Sequence, residues 1–198
     1  TAEVLGRLCY AGFEITGYET INNLLYYSVI KCKETRDDEN PSYGIYFKMN
    51  RVCKDGKIKG IYKVRTMHPY SEYLQKYVVS LSGYNETGKP NNDFRLTSWG
   101  KVIRKLHIDE LPQLLNVLKR DLAIVGVRPL SKFGFSALPL DLQQERIKYK
   151  PGCIPPNVAL GLTGFDGVVE AERKYLSEMK INPHLTNFKY FWMAIYNL

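Results

Sequence analysis

Residues Ile108–Arg120 read IDELPQLLNVLKR and contain the strongest structural signals of the chain. Asp109 is a favourable helix N-cap, Glu110 suits a first helical turn, and Pro112 stands where its missing N–H costs little. Four leucines recur at helical spacing, and the basic pair that ends the stretch complements the negative end of a helix dipole. The pattern predicts a helix over 108–120.

The acidic pair at the start of this helix allows two interpretations. In the first, Asp109 caps the helix and Glu110 is merely exposed to solvent. In the second, both acids form a site with Arg104, five residues before Asp109, and with Arg128, which follows the apolar segment Leu122–Val125. Carboxylates at a helix N-terminus with arginines nearby can bind a divalent cation and a phosphate together. Phosphoryl transfer uses such groups, and a carboxylate can be its nucleophile.

A β-hairpin is predicted upstream of the acidic pair. Two runs of strand-like composition, Gly44–Val52 and Lys57–Met67, flank an Asp-Gly pair at positions 55 and 56. Strand alternation places Lys63 and Arg65 on one face, about 7 Å apart, where they suit the oxygens of an anion. A solvated strand face is the alternative for these two residues.

The remaining periodicities predict a helix-rich α/β (α+β) fold. We expect an aromatic N-terminal segment and charged loop over 1–42, followed by a single domain over 43–198 that contains the acidic pair. The charged run Lys31–Ser42 ends in a proline turn and is the predicted hinge. Helices are predicted over Thr20–Val29, Tyr70–Leu81, Leu140–Lys148 and Val168–Met179, and a strand over Leu122–Val125.

Composition limits the classes of partner. The chain has 198 residues, is 44% hydrophobic, and carries 28 Lys+Arg against 20 Asp+Glu, a net charge of +8. Such a chain can bury a core without disulfides, and its charge favours nucleic acid, a nucleotide or a phospholipid surface. Nucleic acid is the least favoured, because the basic residues cluster around the acidic pair and no nucleic-acid-binding signature occurs.

The cysteines and the apolar segments indicate the cellular compartment in which the chain is expected. The four cysteines, Cys9, Cys32, Cys53 and Cys153, lie far apart in the sequence. They lack the spacing of a zinc site and are expected to be free thiols in a reducing compartment. No apolar run reaches the ~18 residues of a spanning helix. The nearly apolar segment Phe188–Leu198 either lies at a membrane interface or packs on the core as a terminal helix.

The motifs together resemble the bacterial sugar transferase family. These are the monotopic polyprenyl-phosphate phosphoglycosyl transferases that initiate exopolysaccharide and glycan assembly. The run from Leu96 to Pro129 is similar to the segment with the family's Asp-Glu dyad and its Pro-Arg-Pro element. Further similarities in the same order are Arg51-Val52 … Gly56-Lys57 to RVG-x-x-G-K, Tyr62-Lys63-Val64-Arg65-Thr66-Met67 to YKFRTM, and Tyr149-Lys150-Pro151-Gly152 to Y-x-x-KPG.

The resemblance implies a reaction and a nucleophile. Members transfer a sugar 1-phosphate from a UDP-sugar to a membrane polyprenyl phosphate and release UMP. By resemblance, Asp109 attacks the β-phosphate to form a phosphosugar–aspartyl enzyme, and Glu110 helps to bind Mg²⁺. The basic residues implied to contact the phosphates or the nucleotide are Arg104, Arg128, Lys63 and Arg65.

The resemblance also implies partners and a location. The expected partners are a UDP-sugar, a polyprenyl phosphate acceptor and an anionic membrane surface, with no nucleic acid. The expected location is the cytoplasmic face of the bacterial inner membrane. The sequence starts at Thr1 rather than at Met, which allows for a membrane anchor outside this chain.

The chain departs from the family pattern at several positions. The family's apolar re-entrant membrane helix falls on Thr20–Ser42, which is too polar to insert fully. Cys53 replaces the glycine of the RVG element, and Val127 stands at the first proline of Pro-Arg-Pro. The run Cys153–Pro156 replaces the continuation into I-T-G. The altered Pro155-Pro156 segment and the absent membrane helix motivate an alternative hypothesis, a catalytically lapsed member that acts as an interaction module in polysaccharide assembly.

Overall fold

The computed structural model describes residues 2–35, 44–83 and 90–197. Over these residues the chain is a mixed α/β protein in which helices predominate and each sheet has two strands, so the predicted fold class is confirmed. It divides into two compact units. Of the described residues, unit one contains 2–35, 44–45, 65–83 and 90–107, and unit two contains 46–64 and 108–197. The predicted boundary between 42 and 43, and the predicted hinge beyond position 35, lie outside the described residues.

Unit one is a β-hairpin packed with helices. Its described elements are α1 (Ala2–Tyr10), β1 (Phe13–Ile21), β2 (Leu24–Lys31), a 3-10 helix (Ser71–Leu74), α2 (Gln75–Ser82) and α3 (Ser98–Lys105). The strands pair antiparallel, with Ile21 opposite Leu24. The core of this unit consists of Ala2, Leu5, Ile15, Leu74 and Val78.

The helix predicted over Thr20–Val29 is wrong, because this stretch is the end of β1, the turn and most of β2 in the β1–β2 hairpin. Asn22 and Asn23 have φ angles of 51° and 64°. Asparagine tolerates this left-handed conformation, which two-residue hairpin turns require. The flanking residues are rich in aromatic and β-branched side chains, which favour strands. An Asn-Asn pair between two such runs is therefore the sequence signal for this hairpin.

Unit two contains the second hairpin, a parallel strand pair and several helices. Its elements in the described residues are β3 (Tyr46–Val52), a 3-10 helix (Lys54–Gly56), β4 (Ile58–Val64), a 3-10 helix (Ile108–Glu110), α4 (Gln113–Leu118), β5 (Ala123–Val125), α5 (Lys132–Ser136), α6 (Leu140–Arg146), β6 (Gly152–Ile154), α7 (Pro156–Ala159), α8 (Gly164–Ile181) and α9 (Pro183–Tyr196). The strands β3 and β4 pair antiparallel, as predicted from the Asp-Gly signal. No described helix of the chain has the length and apolar character needed to span a bilayer.

The β5–β6 pair and helices α7, α8 and α9 surround the main core of unit two. The rings of Tyr175 and Tyr190 are fully buried and meet edge to face at 5.0 Å. The two parallel strands approach so closely that a Cβ on Gly152 would lie 2.1 Å from the nitrogen of Gly126. Only glycine fits there, so this contact fixes the point at which the chain leaves β5 towards Arg128.

The helix predicted over 108–120 is shorter than expected and begins later. Ile108–Glu110 form a 3-10 helix, Pro112 is the N-cap of α4, and the α-helix starts at Gln113. Asp109 is therefore not the cap of this helix. The leucines of the stretch, Leu111, Leu114, Leu115 and Leu118, are exposed. The side that faces the protein carries Gln113 and Asn116, both buried.

Arg120, which follows the C-cap Lys119 of α4, provides a test of this geometry. It has a φ of 62°, a conformation that glycine adopts without the steric cost paid by other residues. We expect Arg120→Gly to raise the free energy of unfolding by about 0.5–1 kcal/mol in urea denaturation. Arg120→Ala keeps the Cβ and should give no such gain. Equal stability of the two variants would contradict the left-handed conformation.

Candidate active site

The acidic pair lies on the 3-10 helix before α4, next to the end of β4. The Nζ atom of Lys63 is 2.6 Å from Oε1 of Glu110 and 3.4 Å from Oδ2 of Asp109. The Asp109 side chain is only 8% exposed, whereas that of Glu110 is 37% exposed. The two carboxylates thus converge on one cation from a single turn, with Asp109 protected and Glu110 open to solvent.

Asn116 determines the register between this turn and β4. Its side chain is fully buried, its Oδ1 accepts a hydrogen bond from the Tyr62 N–H at 3.0 Å, and its Nδ2 donates to the Gly60 carbonyl at 3.0 Å. The amide therefore satisfies backbone groups of β4 that the pairing with β3 leaves open. Because Lys63 follows Tyr62, this contact places Lys63 opposite the acidic turn. None of the sequence patterns above predicts this role of Asn116; a polar residue within a leucine-rich helix is the signal that indicates it.

Cys153 is a near neighbour of the acidic turn, but its chemistry is not that of a nucleophile. Burial, and secondarily the negative charge of Glu110, raise the pKa of the Cys153 thiol to about 11. Burial likewise raises the pKa of the Cys53 thiol to about 11. Both cysteines pack in the small apolar cluster with Ile61 and Leu122. Since neutral thiols are weak nucleophiles, these cysteines contribute to packing, and the carboxylates remain the nucleophile candidates.

Arg128 lies after β5, and its side chain is exposed. Its backbone N–H donates to Oε1 of Glu172 at 2.9 Å, and its carbonyl accepts from Nη2 of Arg146. Burial, followed by the positive charge of Arg128, lowers the pKa of Arg51 on β3. Two guanidinium groups of like charge therefore influence one another in unit two, an arrangement that an anion would stabilise. No functional role for Arg51 follows from the sequence patterns.

Arg65 and Arg104 belong to unit one, where both lie beside Thr66. Arg104 Nε donates to Thr66 Oγ1 at 2.7 Å, and Arg65 Nε donates to the Gly44 carbonyl at 2.9 Å. The N-cap Thr97 of α3 donates its hydroxyl to the Thr66 carbonyl at 3.1 Å. These contacts attach α3 to the segment that contains Arg65 and Thr66.

The structure thus distributes the predicted site residues over three places. It brings together Lys63, Asp109 and Glu110 in unit two. It places Arg128 elsewhere in the same unit, near enough to Arg51 for their charges to interact. Arg65 and Arg104 form their contacts within unit one.

The acidic turn is compatible with a divalent cation. Within the described ranges, no cluster of three or more His, Cys, Asp or Glu side chains is suited to a metal ion. Asp109 and Glu110 nevertheless direct two carboxylate oxygens at one ammonium group. Mg²⁺ is commonly bound by one or two carboxylates, with water and substrate phosphate completing its ligands. This pair fits such a site.

A paired-carboxylate turn with a lysine between its oxygens, in a basic α/β protein, defines a candidate phosphoryl-transfer site. The family model for bacterial sugar transferases matches residues 23–195. The chain belongs to the bacterial sugar transferase family.

Several named proteins are similar to this chain. Galactosyl transferase CpsE of Streptococcus agalactiae serotype III is 36% identical over 161 residues, 78% of this chain and 34% of that protein. The undecaprenyl-phosphate galactose phosphotransferase of Salmonella typhimurium is 39% identical over 103 residues, 50% of this chain and 21% of that protein. The UDP-N-acetylgalactosamine-undecaprenyl-phosphate N-acetylgalactosaminephosphotransferase of Aeromonas hydrophila is 42% identical over 85 residues, which are 43% of this chain and 18% of that protein. The chain spans about a third or less of the length of these relatives.

Proposed function

We propose that this chain is a phosphoglycosyl transferase that moves a sugar 1-phosphate from a UDP-sugar to a polyprenyl phosphate and releases UMP. The observation that carries the proposal is the convergence of Asp109 and Glu110 on the ammonium of Lys63. Membership of the sugar transferase family supports it. The Salmonella and Aeromonas relatives, named as undecaprenyl-phosphate sugar phosphotransferases, support the choice of substrates.

The proposed reaction has two displacement steps at phosphorus. An Asp109 carboxylate oxygen bonds to the β-phosphorus of the UDP-sugar, the bond to the bridging oxygen breaks, and UMP leaves with that electron pair. An oxygen of the polyprenyl phosphate then attacks the same phosphorus and releases the Asp109 carboxylate. The burial of Asp109 suits this scheme, because an acyl phosphate shielded from water is protected from hydrolysis. Lys63 lies where it can neutralise phosphate charge next to the nucleophile.

Glu110 is the residue proposed to help hold Mg²⁺, beside the nucleophile Asp109. When bound, the ion supplies charge neutralisation to the diphosphate. The cationic side chains of unit two proposed to contact the phosphates are Lys63 and Arg128, with Arg128 on the nucleotide side. For Arg65 and Arg104 of unit one, phosphate contact stays a prediction from the family resemblance.

Glu110→Gln tests the metal assignment. Loss of one anionic ligand is expected to raise the Mg²⁺ concentration for half-maximal UMP release about 10-fold or more, with a smaller effect at saturating Mg²⁺. A second readout is the rise in melting temperature that Mg²⁺ produces in the presence of UDP. The exposed Glu170 is a matched control, and Glu170→Gln should behave as wild type. Identical Mg²⁺ dependence of both variants would remove Glu110 from the metal site.

Arg128→Ala tests the nucleotide assignment. Removal of a charge-assisted contact to the diphosphate should raise the KM for the UDP-sugar about 10-fold, since such contacts contribute about 1.5–3 kcal/mol. Steady-state kinetics and UDP titration calorimetry measure the effect. Lys132→Ala, at another exposed basic residue on the following helix, is the control. Unchanged UDP affinity in Arg128→Ala would place this residue outside the nucleotide site.

The lipid acceptor requires access to a membrane, and the helix α9 suits an interface. Its residues Thr186, Tyr190 and Ala194 are buried, whereas Phe188 and Trp192 are 63% and 54% exposed. One side thus packs on the core while the other presents aromatic residues, as in interfacial helices. The net charge of +8 would add attraction to anionic headgroups, by ~1 kcal/mol per basic residue near the surface. The proposed location is the cytoplasmic face of the bacterial inner membrane.

The decisive experiment is incubation with a panel of UDP-sugars, Mg²⁺ and undecaprenyl phosphate, with UMP as the measured product. UMP release that depends on one UDP-sugar and on the lipid would support the proposed transfer and identify the sugar. A folded chain that binds UDP but releases no UMP with any sugar would contradict it. That result would favour the catalytically lapsed interaction module.

A further inference from the structure

A buried ion pair from two helices binds both backbone polar groups of Arg128. Glu172 on α8 accepts from the Arg128 N–H at 2.9 Å, and Arg146 on α6 donates to the Arg128 carbonyl. The two charged side chains lie 3.4 Å apart and are 1% and 3% exposed. A residue whose N–H and C=O are both bound has a fixed backbone orientation, so the direction of its side chain is fixed at Cα.

This pair is costly for the fold. Burial raises the pKa of Glu172 and lowers the pKa of Arg146, as expected when charged groups lose their water. Among the described residues, Nη1 of Arg146 and Oε2 of Glu172 have no hydrogen-bond partner. Replacement of a buried ion pair by apolar residues of similar volume is often neutral or stabilising. Stability alone therefore does not account for this pair.

The segment that contains Arg128 is also attached on its N-terminal side. The Gly126 N–H donates to the Ile154 carbonyl at 3.2 Å, and the Gly152 N–H donates to the Val127 carbonyl at 3.0 Å. Val127 is buried, whereas Arg128 projects to the surface. Arg128 is thus the first residue of this segment whose side chain is available to a ligand, and the ion pair binds the backbone of this residue.

We infer that Glu172 and Arg146 are positioning residues that orient the Arg128 guanidinium towards the diphosphate of the nucleotide donor. The inference rests on the proposed function, in which Arg128 contacts that diphosphate. The ion pair acts through the backbone of Arg128 and does not touch the substrate. Its loss should therefore weaken donor binding and leave the chemistry at Asp109 largely intact.

The double variant Glu172→Leu/Arg146→Met separates positioning from stability. It replaces the ion pair by apolar side chains of similar size and should melt within a few degrees of wild type. We expect about a 10-fold rise in the KM for the UDP-sugar and in the Kd for UDP, with kcat within about 3-fold of wild type. In an Arg128→Ala background the double variant should cause no further rise, because the group that it positions is absent.

A second ion pair between the same helices provides a matched control. Asp141 on α6 and Arg173 on α8 are paired at the surface. Neither has a described hydrogen bond to Arg128. Asp141→Asn/Arg173→Gln should leave the KM and the UDP affinity at wild-type values. An equal loss of UDP affinity in the control would show a general effect of α6–α8 pairing and would overturn the inference.

The remaining outcomes are also decisive. A folded double variant with wild-type UDP affinity, or an effect that adds fully to that of Arg128→Ala, overturns the inference. If the double variant does not fold, Arg146→Lys keeps the charge opposite Glu172 but shortens the reach to the Arg128 carbonyl, and its UDP affinity must fall. If wild type binds UDP but releases no UMP, the proposed transfer fails while the UDP measurements still decide this inference. If wild type binds no UDP, both fail.

Discussion

Asp109→Asn is expected to abolish UMP release, with a loss of at least ~10³-fold in turnover, because an amide cannot act as the carboxylate nucleophile. The substitution keeps the size of the side chain and an oxygen that can accept from Lys63, so the fold should be retained. Wild type incubated with the UDP-sugar alone should gain the mass of a sugar phosphate on Asp109, and the variant should not. An intact-mass spectrum and a UMP assay provide the two measurements.

The same scheme predicts ping-pong kinetics, because UMP leaves before the lipid phosphate reacts. Asp141→Asn changes an exposed aspartate on α6 and should keep wild-type turnover, which makes it the control for general effects of the substitution. UMP release by Asp109→Asn at near wild-type rate would refute the role of Asp109. Intersecting initial-velocity plots and an unmodified Asp109 would instead indicate direct transfer within a ternary complex.

Asn116→Ala is expected to cause the largest loss of stability. It removes two hydrogen bonds and leaves the Tyr62 N–H and the Gly60 carbonyl without their partner, at a cost of about 2–4 kcal/mol in the free energy of unfolding. The register of Lys63 against the acidic turn should also loosen, so kcat should fall in the fraction that remains folded. Urea unfolding followed by circular dichroism gives the first value, and UMP release gives the second.

The matched substitution for this prediction is Asn50→Ala, on the opposite strand of the hairpin, where the side chain is exposed. This substitution should change the free energy of unfolding by no more than about 0.5 kcal/mol. Equal stabilities of the two alanine variants would show that the amide of Asn116 does not anchor β4.

Local sequence signals predict several of the local elements of unit two. The Asp-Gly pair identifies the β3–β4 hairpin, and both residues have a left-handed φ, 58° and 70°, within the connection between the strands. The predicted helices over Leu140–Lys148 and Val168–Met179 correspond to α6 and α8. These signals succeed because the deciding interactions lie within a few residues of one another.

The errors occur where a local signal competes with another interaction. The spacing of Leu24, Leu25 and Val29 suits a helix, but the Asn-Asn turn and the strand pairing prevail. Asp109 has the residue type of an N-cap, yet its oxygen lies next to Lys63, 46 residues earlier in the chain. An ion pair across that distance depends on strand register, which no pattern within the stretch 108–120 can reveal.

The sequence by itself determines the class of this protein, since the order of its motifs identifies the sugar transferase family and its acidic pair. Only the tertiary structure decides which basic residues accompany that pair. Lys63 lies against the dyad because the Asn116 amide sets the register of β4, whereas the backbone of Arg128 is bound by Arg146 and Glu172, 18 and 44 residues away. The physical reason is that the sequence gives the type of each residue directly. Which charged groups come into contact depends on how elements that are distant in the sequence pack together.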